Sequence, residues 1–286
     1  MDSAHIGIIG GSGLYEMPLE NRKELKVSTP FGDASDSYLL GELGGRKVAF
    51  LSRHGRGHLL LPSELNFRAN IYGLKKLGVQ QILSASAVGS LRIEHKPMDF
   101  VLPDQFVDRT SRRVSTFFGD GVVAHVSMAD PVCARLMDVM EQAAGQVEIP
   151  IKRGGTYVCM EGPTFSTRAE SNLYRSWGMD LIGMTNLQEA KLAREAEMCY
   201  VTLAMVTDYD CWHEEEDPVT VEKLIQYLTR NSENAQKLIA HAVALLPSLF
   251  DCPCQHALKQ AIITDPKTIS ESARLRLELI MGKYLD

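Results

Sequence analysis

Ala204-Met205-Val206-Thr207-Asp208-Tyr209-Asp210-Cys211-Trp212 is the stretch on which the reading of this chain turns. The apolar run from Cys199 to Val206 reads as a buried strand, and it stops abruptly at two acids one residue apart. Open α/β sheets hold their ligands at the carboxyl ends of such strands. At strand spacing Asp208 and Asp210 point the same way. Two carboxylates leaving a dry strand are either turn formers and helix caps or groups held to handle protons. Spacing alone does not separate these readings; the rest of the chain has to.

Outward from that strand, apolar runs alternate with helical patterns, which predicts a largely parallel sheet covered on both faces. Ile6 to Ile9, Val48 to Leu51, Val79 to Ser84, Thr156 to Cys159 and Leu181 to Met184 are further strands. Phe67, Ile71 and Leu74 recur at helical spacing behind Ser63, and Gly78 ends that helix. Val132, Leu136, Val139, Met140 and Ala143 form a second helical stripe. Thr167-x-x-Glu170 is a capping box, opening a helix with Leu173, Tyr174 and Trp177 as its apolar face and Gly178 as its stop. Val221, Leu224, Ile225 and Leu228 share one face of a late helix. After Phe250-Asp251-Cys252-Pro253-Cys254 the composition shifts, and a tail ends in a helix carrying Leu277, Ile280, Met281 and Tyr284. The expectation is one α/β domain over residues 1–249, with a central mixed, largely parallel sheet flanked by helices, and a C-terminal helical extension over 250–286.

With 286 residues the chain is long enough for a sizeable core, and 45% hydrophobic with 23% charged residues is ordinary for a globular protein. A net charge of −6 argues against nucleic acid or an anionic membrane surface as partner. An anionic substrate would then need a locally positive pocket. No run approaches the length of a membrane span. The N-terminus has no basic region before its glycines, so no secretory signal is expected. Six scattered cysteines indicate a reducing compartment, and the protein is expected to be cytoplasmic.

Several motifs have chemistry of their own. Gly10-Gly11-Ser12-Gly13 follows a strand but lacks the third glycine of a dinucleotide fingerprint, and Pro18 disfavours a following helix. It is either a tight turn or bare backbone wrapped round an oxyanion, with the Ser12 hydroxyl as a further donor. Arg53-His54 also follows a strand; it reads as a solvated turn or as a planar guanidinium fork for a phosphate. Cys252-Pro253-Cys254-x-His256 has no partner cluster in the sequence, so free thiols or a disulfide are expected and no metal. The acidic run Glu214 to Asp217 solvates a loop ahead of the helix after Pro218, a loop able to cover a site.

Many ordered stretches together resemble the purine nucleoside phosphorylase family, in particular its branch acting on S-methyl-5'-thioadenosine. They are Gly7 to Leu14, Thr29-Pro30-Phe31-Gly32, Arg53-His54-Gly55-Arg56, Asn66 to Asn70, Ala87 to Leu91, Asp104 to Thr110, Glu161 to Ser166, Met184-Thr185 with Glu189-Ala190, and Ala204 to Trp212. The resemblance covers roughly residues 6 to 245. It implies reversible phosphorolysis to adenine and 5-methylthioribose 1-phosphate, in purine and methionine salvage, with inorganic phosphate as co-substrate and no cofactor. It places Ser12, Arg53, His54, Ser86, Ala87 and Thr185 on phosphate, with Ser12 and Ser86 keeping the hydroxyl of the usual threonines. It places Phe165, Ser166, Asp208 and Asp210 on the base, and makes Asp208 the general acid at purine N7. For that role burial and nearby Asp210 should raise the Asp208 pKa. Met184 falls on the ribose and Val221 with Leu224 on the methylthio group. His125 corresponds to a residue donated by the neighbouring subunit of a homotrimer.

Relatives acting on 6-oxopurines carry Glu and Asn where this chain has Ser166 and Asp208, so the pair favours adenine. A 5'-methylthioinosine or 6-oxopurine nucleoside phosphorylase is the alternative. A hydrolytic nucleosidase is opposed by Arg53, His54 and the hydroxyl set; a non-catalytic sensor would bind without phosphate-dependent turnover. Thr164 stands where the family often has Arg, and Gln188 where it has Pro, neither at a ligand position.

Overall fold

The computed structural model describes residues 3–213, 221–247 and 251–285, without the side chains of 221–225. The acidic run from Glu214 to Asp217 therefore lies outside the described residues. In chain order the strands are β1 (Ile6–Gly10), β2 (Glu20–Leu25), β3 (Tyr38–Leu43), β4 (Arg46–Ser52), β5 (Gln81–Ser90), β6 (Phe100–Leu102), β7 (Gln105–Arg109), β8 (Ile151–Arg153), β9 (Thr156–Met160), β10 (Leu181–Gly183) and β11 (Cys199–Asp208). The helices are α1 (Phe67–Lys76), α2 (Ala134–Val147), α3 (Arg168–Ser176), α4 (Asn186–Glu195), α5 (Val221–Leu245) and α6 (Glu271–Met281).

All eleven strands belong to one mixed sheet, in which β5 is the hub. Its first half pairs in parallel with β1 on one side, and β11 runs parallel along nearly its whole length on the other. Its last two residues, Gly89 and Ser90, pair antiparallel with β10. Parallel pairs form the centre (β4 with β1, β1 with β5, β5 with β11), and the antiparallel pairs lie at the β2–β3–β4 edge and where β10 and β6 reverse. Strands β1, β5 and β11 carry Val, Ile, Leu and Ala on both faces because helices cover both sides. One apolar layer beneath α2 and α5 joins Ile8, Leu83, Leu203 and Met205 to Leu136, Met140, Leu238 and Ile239. The opposite layer joins Ile9, Ile82 and Tyr200 to Ile71, Leu74, Ala190 and Ala193.

The predicted strands and helices are present, with differences at their ends. Asn66, not Ser63, caps α1, accepting the Ala69 N–H at 3.2 Å. The Thr167 capping box on α3 is formed as expected. The apolar face of α3 is narrower than predicted: Tyr174 is buried, whereas Leu173 and Trp177, which share a neighbouring stripe, are 43% and 48% exposed. Beyond α5 the tail packs back on the body. Leu258, Ala261, Leu277, Ile280 and Met281 enter the layer of α1 and α4, and Tyr284 donates to Glu197 Oε1 at 2.6 Å.

One expectation for the tail is overturned. Cys252 and Cys254 do have a partner cluster, because folding brings Cys133 and Cys199 against them, all four buried. These partners come from the entry to α2 and the start of β11, more than fifty residues away in sequence, so no local spacing announces them. His256 is exposed and is not part of the group.

Candidate active site

A cavity of about 380 Å³ opens at the carboxyl ends of β1, β4, β5 and β11. Its lining gathers Ser12, Arg53, His54, Ser86, Ala87, Phe165, Met184, Thr185, Asp208 and Asp210, residues spread over almost two hundred positions. Parallel strands account for this convergence, since their carboxyl ends fall on one edge.

At one end of the cavity lies a buried ion pair. Arg53, directly after β4, is 1% exposed; its Nε donates to Glu189 Oε1 at 2.5 Å and its Nη2 to Glu189 Oε2 at 3.2 Å. Its Nη2 also donates to Ser84 Oγ and its Nη1 to the Ala85 carbonyl. The guanidinium fork expected to face a phosphate is thus held by Glu189, with all three of its nitrogens engaged by Glu189, Ser84 or the Ala85 carbonyl, while Arg53 lines the cavity. Glycine is required at position 11, because a Cβ there would collide with the Arg53 guanidinium. Glu189 in turn accepts from the Ser84 and Tyr200 hydroxyls at 2.6 and 2.8 Å.

Three hydroxyls surround that end. Ser12 sits in the loop after β1, and among the described residues nothing hydrogen-bonds to its side chain. Ser86 is buried on β5. Thr185 occupies the N-cap position of α4 without a side-chain cap bond, its hydroxyl lies 3.5 Å from Asn186 Oδ1, and the residue lines the cavity at a helix N-terminus. A helix N-terminus favours negative charge.

His54 is neutral at physiological pH, since burial first and the Arg53 charge second push its pKa down to about 4. Its Nδ1 lies 2.8 Å from the Leu60 carbonyl, which makes Nδ1 the protonated nitrogen and leaves Nε2 as an acceptor. The ring stacks on His58 at 4.4 Å, and His58 is bonded to the Tyr15 hydroxyl at 2.8 Å.

At the other end β11 delivers the two acids. Asp208 Oδ1 accepts the Asp210 N–H at 2.8 Å, and Oδ2 accepts the Thr207 hydroxyl at 2.7 Å. Gly89 on β5 makes room: a Cβ there would stand 3.0 Å from Asp208 Oδ1. Burial pushes the Asp210 carboxyl upward, and the Ser171 and Ser166 hydroxyls partly offset the effect. Both Asp208 and Asp210 are half-buried. Ser166 is freed from capping by Thr167 and stands beside Asp210 instead of lining the cavity. Phe165 is on the rim and 77% exposed.

Met184 lines the floor, and its carbonyl accepts from Arg113 Nη1. Arg113, 1% exposed, also holds Glu161 and Gln188. Gln188 thereby has a structural account: it bridges Arg113 and Thr110, both at 2.9 Å. The side chains of Val221 and Leu224 lie outside the described residues, but Leu228, one turn later on α5, lines the cavity. His125 is exposed and outside the lining, with its N–H bonded to the Ala261 carbonyl.

The sequence reading missed Glu189, His58, Tyr15 and Arg113 as site residues. Glu189 carried a signal, an acid in a helix whose neighbours Leu187, Ala190 and Ala193 are all apolar. His58 and Tyr15 carried none beyond nearness to Arg53-His54 and Ser12.

Residues 5–244 match the family model of the Phosphorylase superfamily. The chain is 62% identical over 282 residues to the S-methyl-5'-thioadenosine phosphorylase of Koribacter versatilis, covering 98% of this chain and 97% of that one. It is similar to the crystal structure of a methylthioadenosine phosphorylase from an antarctic soil metagenomic library, with TM-score 0.93 and 53% identity over 98% of this chain and 99% of that one. It is also similar to methylthioadenosine phosphorylase from Schistosoma mansoni in complex with tubercidin, with TM-score 0.83 and 36% identity over 90% and 96%.

Proposed function

The chain belongs to the Phosphorylase superfamily, and from that membership we propose that it catalyses the reversible phosphorolysis of S-methyl-5'-thioadenosine to adenine and 5-methylthioribose 1-phosphate. The observation that carries this reading is one cavity with an acid pair, Asp208 and Asp210, at one end and Ser12, Arg53, Ser86 and Thr185 at the other. A nucleoside lying between them presents its base to the acids and the α face of C1' to an anion held by the hydroxyls.

Phosphate accepts from the Ser12, Ser86 and Thr185 hydroxyls and the Arg53 guanidinium, with the backbone at Ala87 beside it. His54 Nε2 accepts a hydrogen bond from a protonated phosphate oxygen. The C1'–N9 bond breaks as Asp208 gives its proton to N7, and a phosphate oxygen closes on the oxocarbenium-like C1'. No protein nucleophile enters, and a general acid of this kind is worth about 10²–10⁴-fold in rate. Asp210, with Ser166 beside it, accepts from the exocyclic amine. Phe165 flanks the base, Met184 the ribose, and Val221 and Leu224 with Leu228 the methylthio group.

His125 reaches this pocket from a neighbouring subunit of a homotrimer. Two apolar patches support such an assembly: Leu59, Leu61 and Phe165 at the cavity rim, and Val123 and Ile263 beside His125, all at least 46% exposed. Among the described residues no helix is long and apolar enough to cross a membrane, and the enzyme acts in the cytoplasm, in purine and methionine salvage.

Base release from 5'-methylthioadenosine, 5'-methylthioinosine and inosine, each with and without phosphate, tests the reading. Adenine released only with phosphate is expected. Faster hypoxanthine release would overturn the assignment of the base site, and release without phosphate that of the anion site.

A further inference from the structure

Cys133, Cys199, Cys252 and Cys254 come from three separate stretches: the N-cap of α2, the first residue of β11 and the tail after α5. All four are buried, none more than 8% exposed, and their Sγ atoms lie within 4.8 Å of one another. Cys133 Sγ and Cys252 Sγ are 3.7 Å apart. Around a tetrahedral ion with metal–sulfur bonds of about 2.3 Å, neighbouring sulfurs stand about 3.8 Å apart. A disulfide would bring two of them to about 2.05 Å.

We infer that these four cysteines form a closed, structural site for one divalent thiophilic ion, of which zinc is the commonest. One backbone feature favours thiolate. Cys133 caps α2 without any side-chain cap bond, so its sulfur sits at a helix N-terminus, where negative charge is stabilised. Loading needs no redox partner: Zn²⁺ joins four thiols, giving a tetrathiolate with net charge −2 and releasing four protons. With four protein sulfurs, no position stays open for substrate or water, and none of the four residues lines the active cavity. The ion staples the tail to the first turn of α2 and the start of β11. The site stands independently of the substrate assignment, since it rests on other residues.

The experiment is metal analysis of the full chain, produced without a metal-affinity tag and incubated with zinc. One zinc per chain is expected, released stoichiometrically as an organomercurial titrates four thiols. Cobalt in its place should give thiolate-to-metal charge transfer and the intense visible bands of tetrahedral coordination. The Cys252→Ser/Cys254→Ser double variant should lose the metal and several degrees of Tm, whereas Cys211→Ser keeps both. Four freely reactive thiols with no bound zinc would overturn the proposal. So would a non-reduced mass four hydrogens below that of the all-thiol chain, which would mean two disulfides.

Discussion

Replacing Glu189 by Gln removes one charge from a pair whose members are 1% and 2% exposed. Glu189 accepts four hydrogen bonds, two from Arg53 and one each from Ser84 and Tyr200. A glutamine amide turns one acceptor into a donor facing those donors and leaves the Arg53 guanidinium buried without its counter-charge. Breaking a buried pair from one side costs about 3–5 kcal/mol. At about 2–4 °C per kcal/mol for chains of this size, the Tm should fall by roughly 6–20 °C. A second effect has the opposite sign. Arg53 lines the cavity, so its uncompensated charge should attract phosphate more strongly. Ligand that binds only the native state stabilises it in proportion to RT ln(1 + [L]/Kd). Thermal melts of parent and variant, each without and with saturating phosphate, separate the two effects. The variant should melt lower, and phosphate should raise its Tm by more than it raises the parent's. An unchanged Tm would show that the pair is not the anchor described here. A smaller phosphate response in the variant would show that Arg53 does not face the anion.

Asp208→Asn should cut kcat on 5'-methylthioadenosine by about 10²–10⁴-fold while the fold survives, because only the proton donor is lost; unchanged turnover would remove Asp208 from the chemistry. Two buried groups predict opposing pH effects on stability. Burial, against hydrogen bonds from the Phe117 N–H and the Thr116 hydroxyl, raises Glu195 to about 7 from 4.5, so its contribution is full below 4.5 and is lost as pH climbs to about 7. His54 is lowered to about 4 from 6.5, so its contribution is full above 6.5 and is lost as pH falls. Glu195→Gln should therefore gain on the parent in urea melts between pH 4.5 and 7.5, by up to about 3 kcal/mol at about 1.36 kcal/mol per pH unit; a constant difference across that window would contradict the burial argument. The KM for phosphate should change little with ionic strength, because Arg53 is already neutralised by Glu189; a steep rise would show a net positive charge facing the anion.

The frame of the fold was legible because its strands are nearly uniform in Val, Ile, Leu and Ala, with glycine or acid at the carboxyl ends. Asp208, Asp210, Ser12 and Arg53 could be placed at strand ends by that pattern, and strand ends converge in a parallel sheet. Partnerships were not legible. Nothing local tells that Arg53 pairs with Glu189, 136 residues away, instead of presenting its whole fork to the ligand. Cys133 and Cys199 were invisible as companions of Cys252 for the same reason. Burial was misjudged where two apolar stripes compete: Leu173 and Trp177 satisfy helical periodicity as well as Tyr174 does, and only the neighbouring sheet decides which stripe is covered. β11 ends at Asp208, and the turn that follows, with Asp210 at a φ of +52°, places the second carboxyl in a conformation that strand spacing alone does not predict.

A chain with net charge −6 was expected to need a locally positive pocket for its anion, and the structure answers that need differently. Arg53 contributes +1 and Glu189 −1, and His54 is uncharged at neutral pH, so these three groups sum to zero. What remains are dipoles: three hydroxyls, the N–H groups of Arg53 and the N-terminus of α4 behind Thr185. Such a site suits a phosphate that must react. A tight ion pair would stabilise the resting anion most, whereas hydrogen bonds from fixed neutral donors orient its oxygens and leave its charge available to the developing cation at C1'. Rigidity then has to come from the scaffold, and the buried Arg53–Glu189–Ser84–Tyr200 network supplies it, tying β4, β5, α4 and β11 together directly beneath the cavity. The charges that the sequence offers for binding are used in the fold for positioning.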